Sequence, residues 1–409
     1  MGQVVRIHCQ AMAHRGLGVG RLGRLVVFLF GALPGEEVSA QVTKVRRHHA
    51  EADTVQVHEA SPQRVAPPCP YFGSCGGCQL QHASYPLQLQ LKQGVLQELL
   101  ERQGLSPLPE IEMRGAPNAL GYRWRGEFHR APGEPPLGFR SRGGRRLVPV
   151  ADCLIHHQTV RSALEPVGRA LQTLGPEVRT VHLTVGEEGR QLLLQTRPER
   201  ARSRAAAVAA APALGEVQVT DESTGLNYRQ RQFRVFAGAF IQVNQGALPL
   251  LYESVVDFLE PGLGGAEVID AYGGVGVLAT RLLEAGAGRV TLIESEPLAA
   301  RLGQLHAEMY GGGHMEVLRR PVEAELERIA RADAVVLDPP RAGLSAEVRS
   351  GLCRSGPPTI VYLSCEPAAL ARDLRQLLSR SRYRLERLCL IDMFPQTYHF
   401  ETAALLRRT

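Results

Sequence analysis

One turn constrains this chain more than any other feature. Val268-Ile269-Asp270-Ala271 reads as a buried strand that delivers an acid to its end. Tyr272-Gly273-Gly274-Val275-Gly276 then opens a helix. Glycines at such a turn let a ligand approach the backbone closely. From about residue 236 the pattern is regular: strands at 267–270, 290–294, 334–338, 359–364 and 385–391, with amphipathic helical stretches between them. That alternation predicts a doubly wound α/β sheet. A last apolar segment, 397–406, follows a strand with no helix between, so it is expected antiparallel at the sheet's end.

Open α/β sheets bind ligands at the carboxyl edge of their strands. Glu294 ends the strand after the glycine turn, where a carboxylate can hold ribose hydroxyls. Leu278 and Ala279 stand in place of the third glycine of a dinucleotide fingerprint, and no Gly-Lys-Ser/Thr follows. A nucleoside cofactor without phosphates fits better, which points to S-adenosylmethionine.

Three further strand ends carry chemistry. Asp338-Pro339-Pro340-Arg341 has a cation where amino-group methyltransferases place a stacking aromatic, so attack on a ring carbon is expected. Ser364-Cys365-Glu366 brings a thiol to the same edge. Carbon-5 of a pyrimidine becomes nucleophilic once a thiolate adds to carbon-6, a covalent route that splits one hard step into easier ones. Glu366 matters here, because a carboxylate aimed at the thiol would disfavour thiolate. Glu401 is the candidate base for the carbon-5 proton, with His399 as its rival. Cys9, Cys353 and Cys389 lie in apolar contexts and read as structural.

Upstream, residues 1–62 hold several short strands punctuated by Gly16, Gly18, Gly20 and Pro34-Gly35, which suggests a small OB-type barrel. Cys69, Cys75 and Cys78 follow among glycines and prolines, with Cys153 as the best fourth ligand. Four thiolates suit zinc or an iron–sulfur cluster, and spacing does not choose between them. Leu87, Leu91, Leu96 and Leu100 predict a helix over 84–103, stopped by Gly104. Between 123 and 146, seven arginines interleave with Trp124, Phe128 and Phe139. That stretch is expected to form hairpins whose rings stack on bases while arginines hold phosphates. Residues 201–215 read as a surface helix or loop.

Composition narrows the partner. The balance is 47 basic against 41 acidic residues, a net +6. All the basic residues but Lys44 and Lys92 are arginine, whose planar fork suits phosphate. No apolar run approaches the ~18 residues of a membrane span. The first residues carry no signal-peptide core, so a reducing, cytoplasmic setting is expected, where clustered cysteines read as ligands before disulfides.

Taken together, these motifs resemble the RNA (uracil-5-)-methyltransferase family, nearly end to end, and its iron–sulfur branch acting on 23S rRNA in particular. Residues 16–20 and 32–36 are similar to a TRAM domain, and Cys69-Pro70 through His82 to that branch's cluster segment. The resemblance implies a [4Fe–4S] cluster on Cys69, Cys75, Cys78 and Cys153. Phe240-Ile241-Gln242-Val243-Asn244 resembles the motif whose Gln contacts S-adenosylmethionine, which implies that role for Gln242. Tyr272, Glu294 and Asp338 match other cofactor positions, Cys365 the nucleophile and Glu401 the base.

The expected architecture is therefore three-part. It comprises a TRAM β-barrel (1–62), a central α+β iron–sulfur and RNA-binding domain (63–83 with 116–235), and a Rossmann-like methyltransferase domain (84–115 with 236–409). The expected reaction is methylation of a uridine carbon-5 in 23S rRNA by a monomer. The alternatives are the tRNA T-loop uridine, and a non-catalytic RNA-binding or assembly factor. Cytosine-5 chemistry fits less well, since Arg341 stands where such enzymes often carry a second cysteine.

Overall fold

The computed structural model describes every residue except Met1, Leu174, Gly175, Glu177, residues 198–202, 237–238 and Pro261. The first body is a six-stranded barrel. Its strand order is Val4–His8, Glu37–Val45, His49–Glu59, Leu25–Phe30, Leu17–Leu22, Ala11–Ala13. Alternating residues Val5, Ile7, Val27, Leu29 and Val38 fill its core beside the buried Cys9. The alternate glycines have a steric cause. A Cβ on Gly18 would lie 2.6 Å from Cys9 Sγ, and one on Gly20 would lie 2.3 Å from Ile7 Cγ2.

The central body is a second six-stranded sheet, ordered 147–149, 137–140, 125–130, 180–186, 191–197, 218–220. Helices Gln158–Thr173 and Ser203–Ala210 pack on it through Leu164, Val167, Ala206 and Ala210. Part of the Ala-rich stretch expected at the surface is thus core, because alanine lets two helices approach closely. Residues 201 and 202 lie outside the described residues.

The arginine-rich stretch does form strands, but its rings do not stand free for bases. Phe128 is fully buried, with Phe139 4.9 Å away centroid to centroid, and Trp124 packs on His157 at 4.5 Å. Period-two alternation sends the rings inward, where burial of aromatic surface outweighs exposure. Arg140, Arg142, Arg145 and Arg146 are exposed.

The third body is an eight-stranded sheet, ordered 315–318, 289–293, 267–271, 334–337, 359–364, 401–408, 383–391, 111–114. The first five strands are parallel. Strand Glu401–Arg408 is antiparallel, as expected, but it lies between 359–364 and 383–391 rather than at the sheet's end. The edge is closed instead by Ile111–Arg114, parallel to Tyr383–Ile391. This four-residue strand is too short to carry a period of its own. The helix Tyr85–Arg102 begins where Ser84 Oγ accepts the Leu87 N–H, and buries Leu96 and Leu100 against Leu374 and Leu377. A separate hairpin, Ser223–Tyr228 with Arg231–Phe236, packs Phe233 and Val235 beside Val275 and Val277 of the glycine turn. No described helix is long and apolar enough to cross a membrane.

Candidate active site

Strand register assembles the site. Ala271 pairs with Ile293 on one side and Leu337 on the other. Tyr272, Glu294 and Asp338, each one residue further, therefore leave the same edge of adjacent strands. The strand order reverses here, which makes this the topological switch point of the sheet. Ser364 pairs with Thr402, so Cys365 and Glu401 emerge side by side from the neighbouring antiparallel pair.

A cleft at the switch point is lined by Phe240, Gln242, Asp270, Tyr272, Gly273–Val275 and Asp338. Asn244 fixes the segment that carries Gln242. Its Oδ1 accepts the Ala247 N–H and its Nδ2 donates to the Met393 carbonyl. Glu294 holds the glycine turn: Oε2 accepts the Gly274 N–H at 3.1 Å, and Oε1 accepts the Glu296 N–H. Tyr272 has φ of 64°, a left-handed conformation that aims the chain into the turn. Asp270 is wholly buried and neither carboxyl oxygen has a hydrogen-bond partner among the described residues. Burial, then the Asp338 charge, pushes it up to about 8.

At the end of strand 359–364, burial first and the Glu401 carboxylate second push the Cys365 thiol up to about 12, while Arg341 opposes the rise. Burial and Asp338 raise Glu401 well above the usual carboxylate range, again opposed by Arg341. Asp338 itself is raised to about 6 by burial. These groups form one electrostatic unit in which Arg341 is the opposing cation. His399 differs: burial and Arg341 lower it to about 3, and its ring lies 4.0 Å from that of Tyr398. Glu366 does not face the thiol. Its carboxylate sits 3.4 Å from His14 Nε2 of the barrel.

Outside this edge lies a cleft of about 980 Å³ between barrel, central body and sheet. Arg15, Phe28, Arg123, Arg341, Arg372 and His399 are among its walls. Cys69, Cys75, Cys78 and Cys153 line a second cavity of about 200 Å³, and all four are free. Burial pushes the Cys78 thiol up to about 12 and raises Cys153 further, each reinforced by the other thiols. No three His, Cys, Asp or Glu side chains among the described residues close on a single metal ion. Four thiols lining one cavity are a donor set that suits either zinc or an iron–sulfur cluster. Cys9 and Cys389 are buried in apolar cores and Cys353 packs against one.

Sequence reasoning passed over several residues that hold this site. Lys92, which is buried, donates to Asp392 Oδ1 at 2.7 Å and to the Phe394 carbonyl. Being one of only two lysines in a chain built with arginine was its only signal. Gln79, Gln88 and Gln396 have none, since their partners come from distant segments.

Residues 1–55 match the TRAM domain, and residues 315–409 match the family described as tRNA (Uracil-5-)-methyltransferase. The 23S rRNA (uracil(1939)-C(5))-methyltransferase RlmD of Chromohalobacter salexigens is 32% identical, covering 98% of this chain and 88% of that protein. The protein of the same name from Shewanella amazonensis is 31% identical, covering 99% and 96%. The chain belongs to the RNA uracil-5-methyltransferase family. As a member it is an RNA uracil-5-methyltransferase with an N-terminal TRAM domain. The fold agrees: the Pyrococcus abyssi tRNA (uracil-54, C5)-methyltransferase, solved with S-adenosyl-L-homocysteine, superposes with a TM-score of 0.73 at 22% identity, covering 98% of this chain and all of that one.

Proposed function

We propose that this enzyme methylates carbon-5 of a uridine in 23S rRNA, with Cys365 as nucleophile and Glu401 as base. The observation that carries the reading is the pairing of Ser364 with Thr402, which sets the thiol beside the carboxylate. Cys365, its thiol proton released to solvent, bonds through Sγ to carbon-6 of the uracil; carbon-5 gains enolate character and takes the methyl group, breaking its bond to the donor sulfonium, which leaves as a neutral thioether. Glu401 then removes the carbon-5 proton, the carbon-5–carbon-6 double bond reforms, and the bond to Sγ breaks. A neutral His399, lowered to about 3, is the weaker base.

S-adenosylmethionine supplies the methyl group when bound. Gln242, Tyr272, Glu294 and Asp338 are proposed to hold it at the switch-point cleft, the usual ligand crevice of such sheets. The raised Glu401 carboxyl is a stronger base than a solvated one, and Arg341 limits the cost of ionising the cluster. The target base leaves its stack to reach Cys365, since chemistry on a base demands that access.

The large cleft takes flanking RNA, with its arginines on phosphates. A [4Fe–4S] cluster on Cys69, Cys75, Cys78 and Cys153 would brace the central body against the cysteine segment. The expected setting is the cytoplasm, and the expected state a monomer.

The test is incubation with methyl-labelled S-adenosylmethionine and either 23S rRNA or tRNA, followed by nucleoside analysis. Label in 5-methyluridine from 23S rRNA, absent with Cys365→Ala, supports the proposal. Label from tRNA alone moves the substrate, a reading favoured by the likeness to the Pyrococcus enzyme. No label with either RNA sinks it.

A further inference from the structure

The segment between Asp392 and Glu401 carries no regular structure and leads directly into the strand that bears the proposed base. Its most constrained residue is Gln396. It is buried, and its φ of 69° lies in the left-handed region that side-chain-bearing residues rarely adopt.

All its polar groups are engaged. The Gln396 N–H donates to Gln88 Oε1 at 2.8 Å, and Gln88 Nε2 donates back to Gln396 Oε1 at 3.0 Å. The Gln396 carbonyl accepts the N–H groups of Gln79 and Leu80, each at 3.0 Å. Its Nε2 donates to the Ala119 carbonyl. Gln79 Oε1 in turn accepts the Tyr398 N–H, while its Nε2 donates to the Gly76 carbonyl between Cys75 and Cys78. Tyr122 donates its hydroxyl to the Pro395 carbonyl. Three segments distant in sequence thus converge on one strained residue, and Tyr398, His399 and Glu401 lie within the next five positions.

We infer that Gln396 is a positioning residue for the reaction, anchoring through Gln88 and the Cys75–Leu80 segment the loop that leads into the strand bearing Glu401, and so fixing the aim of that carboxylate at the strand's first residue. The inference rests on the reading of Glu401 as base. A residue that only stabilised the fold would affect both halves of the reaction alike. A residue that positions the base acts on the second half alone: thiol addition and methyl transfer proceed, but proton removal, and with it release of Sγ from carbon-6, slows. The methylated RNA then stays bonded to the protein.

The experiment follows total methyl transfer and, on denaturing gels, the fraction of RNA covalently held during turnover. The variants are Gln396→Gly, which accepts the left-handed backbone but lacks the amide, and Gln88→Met, which removes the partner from an intact helix. Both are expected to form adduct within ~3-fold of the unmodified enzyme, to turn over ~10-fold or more slowly, and to accumulate adduct. Gln396→Asn, which tolerates the backbone and keeps an amide, is expected to recover part of the turnover. Unchanged turnover overturns the inference. So does slower turnover with adduct formation reduced in proportion. Glu401→Gln runs beside them. If it accumulates adduct and the glutamine variants do not, this inference alone falls. If Glu401→Gln accumulates none, the base reading falls and takes the inference with it.

Discussion

The Glu366 carboxylate, one residue from Cys365, is turned toward His14 of the TRAM barrel, 3.4 Å from its Nε2. The contact joins the Cys365 loop to a separate domain across the large cleft, and it turns a negative charge away from the thiol. His14 is held below its ordinary value, burial outweighing the Glu366 charge. Glu366→Asn should therefore leave the pH profile of Cys365 alkylation unchanged, read by mass spectrometry of the Cys365 peptide. A clear fall in the apparent value would mean that the carboxylate faces the thiol.

Cys365 itself should be poorly reactive in the free protein. A thiol pushed up to about 12 is almost wholly protonated at neutral pH, so iodoacetamide should label it far more slowly than an exposed cysteine. Labelling should climb steadily through the alkaline range. Arg341→Ala removes the opposing cation and should slow it further at every pH. Fast labelling at neutral pH would contradict this electrostatic picture.

Asp270 ties stability to pH. Its carboxyl is raised to about 8 in the folded protein from the 3.8 of an ordinary aspartic acid. The folded state therefore holds a proton that the unfolded state releases between those values. The contribution is intact below the unfolded value and lost as pH rises through about 8. Asp270→Asn should consequently raise the melting temperature under alkaline conditions, by ~5 °C, and change it little in acid. Calorimetry at the two extremes reads the difference. An equal shift at both would show that the carboxyl is not the titrating group.

Lys92 and Asp392 make a buried ion pair at the head of the 392–400 loop, with Asp392 Oδ1 also accepting the Phe394 N–H. Lys92→Met strands a buried carboxylate and should cost about 3–5 kcal/mol in denaturant unfolding. The double change Lys92→Met with Asp392→Leu should recover most of that loss, because the desolvated charge goes with its partner. No recovery would mean that packing, not charge, sets the penalty.

RNA affinity should fall steeply with salt. Replacing Arg15 or Arg372 in the large cleft by Ala should each reduce the slope of log affinity against log salt by ~1, without altering uridine choice. Filter binding across a salt series measures it.

The sequence was legible wherever function follows from local order. The glycine turn, the acid at each strand end and the thiol at Cys365 all sit where a parallel strand must deliver them, so strand periodicity alone brings them to one edge. The helix over Tyr85–Arg102 was equally plain, from its leucine spacing and its Ser84 cap. The interleaved aromatics of 123–146 misled, because alternation gives two faces and does not say which one is covered. Only the packing of Phe128 against Phe139 and His156 decides that.

By itself the sequence determined the parts: a small barrel, a four-cysteine set, an α/β sheet, and the strand ends Asp270, Glu294, Asp338 and Cys365. These follow from short-range rules of period, turn and cap, each complete within a few residues. The tertiary structure alone decided that Glu401 lies inside the sheet beside Cys365, that Glu366 turns to His14, and that Gln396 is gripped by segments hundreds of residues away. Those outcomes depend on which surfaces meet when separate bodies pack and on which buried polar groups must then find partners. No local pattern encodes either.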